Sequence, residues 1–140
     1  MRLLIGCAMA QYVLALCSPS PWWVPDLVLV ALILGVTRTP AKWLNLSICA
    51  GLLQALSAAR HPAVLFVVDV LIGGLIWLAP RLADMSTGQL QRAAIGLSSI
   101  FMMGMMCWLD ELWSVVLLGL LLWRLSLTLL SAELVRQVKR

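Results

Sequence analysis

Apolar residues fill most of this chain, and the polar ones gather in a few narrow places. Six apolar runs lie between charge clusters and Pro/Gly breaks: Leu3–Cys17, Trp22–Val36, Trp43–Ala59, Pro62–Ala79, Ala93–Leu109 and Leu112–Ser131. None alternates with period two, and all exceed the about 9–11 residues of a membrane barrel strand. Backbone polar groups in lipid must be satisfied within the segment itself, so runs of this kind predict helices. A helical span takes about 20 apolar residues, within a range of about 17–25. The first two runs are short by that measure and could also be read as one re-entrant pair. Six spans are the expectation.

The punctuation agrees with these boundaries. Pro19, Pro21 and Pro25 flank the start of the second run, Pro40 opens the turn after it, and Pro62 opens the fourth. At such places a missing N–H costs little. The seven tryptophans, at 22, 23, 43, 77, 108, 113 and 123, lie mostly at run ends, as in an interfacial aromatic belt.

Composition fixes the solvent. The chain has 140 residues, of which 63% are hydrophobic and 11% charged, with a mean hydropathy of +1.02. Soluble domains run to about 45–50% apolar and about 25% charged. A globule this small buries too little of its surface to hide such an excess. The length accommodates one unit, residues 1–140, as a single transmembrane domain. Most soluble enzymes, nucleic-acid binders and secreted disulfide scaffolds are excluded on these grounds.

Charge placement then orients the spans. With the N-terminus cytoplasmic, the inner segments carry Arg2, Arg38, Lys42, Arg81, Arg92, Arg136, Lys139 and Arg140, and the outer turns carry only Arg60. That asymmetry follows the positive-inside rule and predicts an all-α, polytopic, six-span protein with both ends inside. A five-span arrangement would put the basic tail on the wrong side. Arg2 and the apolar stretch after it resemble a signal peptide, and Leu14 to Cys17 resembles a lipoprotein cleavage box. Leu16, however, stands where that box needs a small side chain, so the run is expected to remain as a span.

Ionisable or strongly polar groups at membrane depth cost about 2.5–3.5 kcal/mol on insertion scales. Asp26, Gln54, Asp69 and Arg124 are the candidates, as intramembrane polar or partner-binding residues. The third and fourth runs are joined by Arg60-His61-Pro62 and predict an antiparallel hairpin. Gln54 and Asp69 then lie at nearly equal depth, about 10 Å below the outer surface, and are expected to form a polar clasp or, less simply, a ligand or proton site on Asp69 or a contact with a partner's span. Arg124 is expected to snorkel toward the cytoplasmic headgroups, or to pair with Asp69 or a partner's carboxylate. Asp26, after Pro25, suits a helix N-cap. Ser47, Gly51, Ala55 and Ala59 form a four-residue ridge of small side chains that lets another backbone approach closely.

Other residues carry less. Cys7, Cys17, Cys49 and Cys107 form no CxxC pair, and the lone His61 has no second ligand at useful spacing, so no metal or other cofactor is expected. The adjacent methionines of Met102-Met103-Gly104-Met105-Met106 point around a whole helix and cannot converge on one ion. Asp110 and Glu111 read as solvated charge in an outer turn. No Ser/His/Asp or Cys/His set, phosphate loop or carboxylate pair in a cleft appears, so an enzyme is the weakest class.

The stretch Trp22 to Arg81 resembles the bacterial rod-shape-determining MreD family. The resemblance rests on Pro25-Asp26-Leu27 opening the second span, the small basic turn from Arg38 to Lys42, and the Gly-rich third span Gly51-Leu52-Leu53-Gln54-Ala55-Leu56-Ser57. Ala55 stands where many members have an acid, with Gln54 beside it. The resemblance implies a non-enzymatic, multi-pass scaffold of the peptidoglycan elongation machinery in the bacterial inner membrane. Its partner would be an MreC-like bitopic protein and, through it, MreB-like filaments and a RodA-type polymerase, with no nucleic acid involved. The family is also similar in fold to the substrate-binding subunits of vitamin importers, so a small-molecule-binding subunit is the alternative. An accessory subunit of a larger membrane complex is a further one.

Overall fold

A computed structural model describes residues 2–18, 24–57, 61–82, 87–109 and 115–138. Six helices account for nearly all of them: α1 (Arg2–Cys17), α2 (Leu27–Arg38), α3 (Trp43–Ser57), α4 (Pro62–Leu82), α5 (Thr87–Leu109) and α6 (Val115–Val138). A three-residue 3-10 turn, Pro40–Lys42, leads into α3. The fold is all-helical, with no strand among the described residues.

The helix boundaries differ from the apolar runs where local chemistry overrides hydropathy. The second run begins at Trp22, yet α2 starts only at Leu27, because Asp26 is its N-cap and accepts the Leu29 N–H. The fifth run begins at Ala93, yet α5 starts at Thr87. Its first turns hold Gln89, Leu90, Gln91 and Arg92, all good helix formers, so propensity extends the helix beyond the apolar stretch. Helix α4 continues through Pro80, two residues before its end, where only one backbone bond is lost.

Helix α2 is the axis of the molecule. It packs against α1, α3, α4, α5 and α6, while around it α1 meets α3, α3 meets α4, α4 meets α5 and α5 meets α6. Its residues from Val28 to Leu34 are all at most 2% exposed. A helix apolar on every face is stable in such a place, since every face finds a neighbour. Helix α1 is also largely apolar but peripheral: Leu4 and Cys7 are buried, whereas Met9 is 66% and Leu16 70% exposed.

The α3–α4 pair is the most extensive contact in the fold. Its antiparallel register shows in three level pairs, Trp43 with Trp77, Ser47 with Gly73 and Gly51 with Phe66. The two indoles stack with centroids 5.4 Å apart. A Cβ at Gly51 would lie 2.9 Å from Phe66 Cδ2 and 3.0 Å from its carbonyl oxygen, and one at Gly73 would overlap Ser47 Oγ. Glycine is therefore required at both places by close approach rather than by backbone conformation. Turning from α3 into α4 places His61 at a φ of 51°, and its carbonyl accepts the N–H groups of Val64 and Leu65.

Among the described residues, two helical segments are long and apolar enough to cross a membrane, Pro62–Pro80 and Gly88–Leu109, where the sequence predicts six spans. Arg2–Cys17 and Leu27–Arg38 are apolar but shorter.

Candidate functional site: a buried polar cluster at the start of α2

The first turn of a helix leaves N–H groups without intrahelical partners, and in an apolar interior each needs one. Here, three other helices, α1, α3 and α6, contribute to the start of α2. Asp26 Oδ1 accepts the Leu29 N–H at 3.2 Å, and Gln11 Oε1 of α1 accepts the Val28 N–H at 3.0 Å. The Asp26 N–H itself donates to Thr128 Oγ1 of α6 at 3.2 Å. Thr128 in turn donates to the Arg124 carbonyl at 2.8 Å.

The Asp26 carboxylate is the centre of this cluster. Oδ1 also accepts Gln54 Nε2 of α3 at 2.9 Å, and Oδ2 faces Arg124 Nη2 of α6 at 3.7 Å. Asp26 is 4% exposed, Gln54 5% and Thr128 0%. A carboxylate so deep in the fold is tolerable when a cation and hydrogen-bond donors surround it, and Asp26 has both.

These contacts redirect two sequence expectations. Gln54 donates to Asp26 rather than clasping Asp69, because its amide turns toward the start of α2 instead of along the hairpin. Arg124 turns inward to Asp26 rather than toward a helix end or Asp69. Asp69 occupies the α4 face that packs into the bundle, at 0% exposure, with no hydrogen-bond partner for either carboxylate oxygen. It lies within electrostatic reach of Asp26.

Of the small-residue ridge, Ser47 is fully buried against Gly73 and donates to the Trp43 carbonyl at 2.8 Å. Gly51 meets Phe66, Ala55 is half-buried, and Ala59 lies outside the described residues. Arg60, Asp110, Glu111, Lys139 and Arg140 also lie outside them. Four polar residues that the sequence did not single out carry interhelical bonds: Gln11 and Thr128 at the cluster, and Gln91 with Thr37 near the end of α2, where Gln91 Nε2 donates to Thr37 Oγ1 at 2.8 Å. For Thr128 a signal existed, since it sits four residues after Arg124 on the same helix face. Gln11, alone in an apolar run, was the other visible anomaly.

Between α2, α5 and α6 a cleft of about 20 Å³, room for one water, is walled by Leu34, Ile95 and Leu129, with Arg92 and Glu133 at its mouth. Among the described residues no group of three or more His, Cys, Asp or Glu side chains converges as a metal site. No family model matches the chain, and no match is found among curated proteins or solved structures.

Proposed function

We propose that the chain is a six-span membrane scaffold of the MreD kind, with both ends cytoplasmic in a bacterial inner membrane. In this reading it is no enzyme. Its work is to hold an MreC-like bitopic partner against its outer helix faces and, through that partner, MreB-like filaments and a RodA-type polymerase. The observation that carries the proposal is inverted polarity. Asp26, Ser47, Gln54, Asp69 and Thr128 are buried, whereas Leu16, Leu56, Leu97, Trp108 and Leu122 are at least 66% exposed. An aqueous fold distributes these residue types the other way round. Lipid leaves large apolar faces unpenalised and makes interior hydrogen bonds the means of fixing helix pairs.

The carrier alternative needs Gln54 and Asp69 turned toward an outward cavity. Gln54 is engaged by Asp26 instead, which favours the scaffold. Two measurements test the proposal. A tagged chain extracted in mild detergent is expected to co-purify an MreC-like bitopic protein, and reporter fusions at Met1 and Arg140 are expected to read as cytoplasmic. Recovery without that partner, or an external C-terminus, overturns it.

A further inference from the structure

Charge in the interior of the bundle does not balance. Among the described residues, Asp26 and Asp69 are the charged side chains that are buried, and Arg124 is the cation beside them. Asp26 is compensated by that guanidinium, by the Leu29 N–H and by the Gln54 amide. Asp69 has none of these: it is fully buried, neither oxygen has a hydrogen-bond partner, and the nearby charge it feels is the like charge of Asp26. An isolated ionised carboxylate in such surroundings is among the costliest groups a fold can hold. Two carboxylates and one guanidinium leave the cluster one positive charge short.

We propose that Asp69, together with Asp26, forms a site for one monovalent cation, a proton or an alkali ion, held between α2 and α4. One unit of missing charge calls for one unit of occupant. Full burial of Asp69 excludes a bulky cation or a partner's lysine reaching it from outside. The charged group within electrostatic reach of Asp69 is Asp26, the N-cap of α2, which is itself held by Gln54 of α3 and Arg124 of α6. Asp26 and its partners fix one wall of the site, and the carboxylate of Asp69 supplies the ligand. Occupancy ties α4 to the start of α2, so the cation belongs to the folded state. The site is independent of which partner the outer faces hold.

The test uses the full chain in a neutral detergent or a lipid nanodisc, unfolded reversibly at constant ionic strength. Three series are run: pH varied with choline as the salt cation, then sodium or potassium exchanged for choline at fixed pH. A tenfold rise in the activity of the bound cation raises the folded-to-unfolded ratio by up to about tenfold, and the responding series names the ion. Asp69→Asn, which keeps the shape and removes the charge, is expected to lose that response. For a proton, the wild-type infrared spectrum also shows the carbonyl stretch of a protonated acid, and the band is absent from the variant. The proposal is overturned if the wild type responds to none of the three series and shows no such band. It is equally overturned if Asp69→Asn responds as the wild type does. Should the variant fail to fold, the wild-type series and spectrum decide alone.

Discussion

Arg124 Nη2 stands 3.7 Å from Asp26 Oδ2, joining the last helix to the start of the second across 98 residues of chain. Both side chains are largely withdrawn from solvent, at 19% and 6% exposure. For such pairs the cost of burial rivals the Coulomb attraction, so removing one partner is worse than removing both. Arg124→Met is expected to destabilise the fold by about 3–5 kcal/mol. The double variant Asp26→Asn/Arg124→Met is expected to recover a large part of that loss. Reversible unfolding in mixed micelles reads the cycle, and additive losses would sink the pairing.

Close backbone approach makes a second prediction at the α3–α4 contact. Gly73→Ala puts a methyl into Ser47 Oγ and is expected to cost about 1–3 kcal/mol, as overpacked cores do. Ser47→Gly on the same chain relieves the overlap and returns most of the stability. Gly51→Ala differs in kind, because its new methyl meets the Phe66 carbonyl oxygen and Cα as well as its ring. No truncation at Phe66 is expected to rescue it fully. The comparison is made by unfolding all four variants side by side.

Near the other end of α2, Gln91 donates to Thr37 Oγ1 at 2.8 Å, and Gln91 is buried. Thr37→Val removes the acceptor and leaves a buried amide donor unsatisfied, at an expected cost of about 1–3 kcal/mol. Thr37→Val/Gln91→Met removes both polar groups and is expected to unfold close to the wild type. A double variant as unstable as Thr37→Val would refute the bond's role.

The ion pair of Arg92 with Glu133 makes the contrasting case. Its atoms are 3.9 Å apart and its side chains 68% and 47% exposed. Solvent screens such a pair, and its coupling is expected at about 0–1 kcal/mol. A double-mutant cycle with Arg92→Ala and Glu133→Ala, repeated at high salt, should show the coupling shrink. A larger, salt-insensitive value would mean the cleft beside it is drier than its exposure indicates.

The six helices were legible because charge clusters and prolines separate the apolar runs, with Pro25, Pro40 and Pro62 each standing close before a helix start. Asp26, Gln54, Asp69 and Arg124 were legible too, since each is anomalous in its run, whereas Gln11 and Thr128 of the same cluster were passed over. Their pairing was not. Equal depth in a hairpin relates Gln54 to Asp69, but which face an amide takes depends on what α2 presents, and α2 is a neighbour that the local pattern does not name. The centrality of α2 was hidden for a related reason. Its sequence and that of α1 are both largely apolar, yet one helix is enclosed and the other is largely exposed. Residues apolar all round suit either position equally when the surroundings are lipid. The start of α5 was missed because Gln89 to Arg92 are polar, and hydropathy does not register that they are also good helix formers.

The enclosure of α2 has a consequence for biogenesis. Ribosomes release this chain from its N-terminus, so α2 leaves the tunnel long before its sheath exists. Asp26 receives its hydrogen-bond acceptor from Thr128, a residue made 102 positions later. Until α6 arrives, the second helix waits with an unfinished end, and a segment made about a hundred residues later completes it. A nascent chain cut short before α6 would therefore hold a buried carboxylate without its cation and one backbone N–H without its acceptor, a mark by which quality control could tell an incomplete molecule from a finished one.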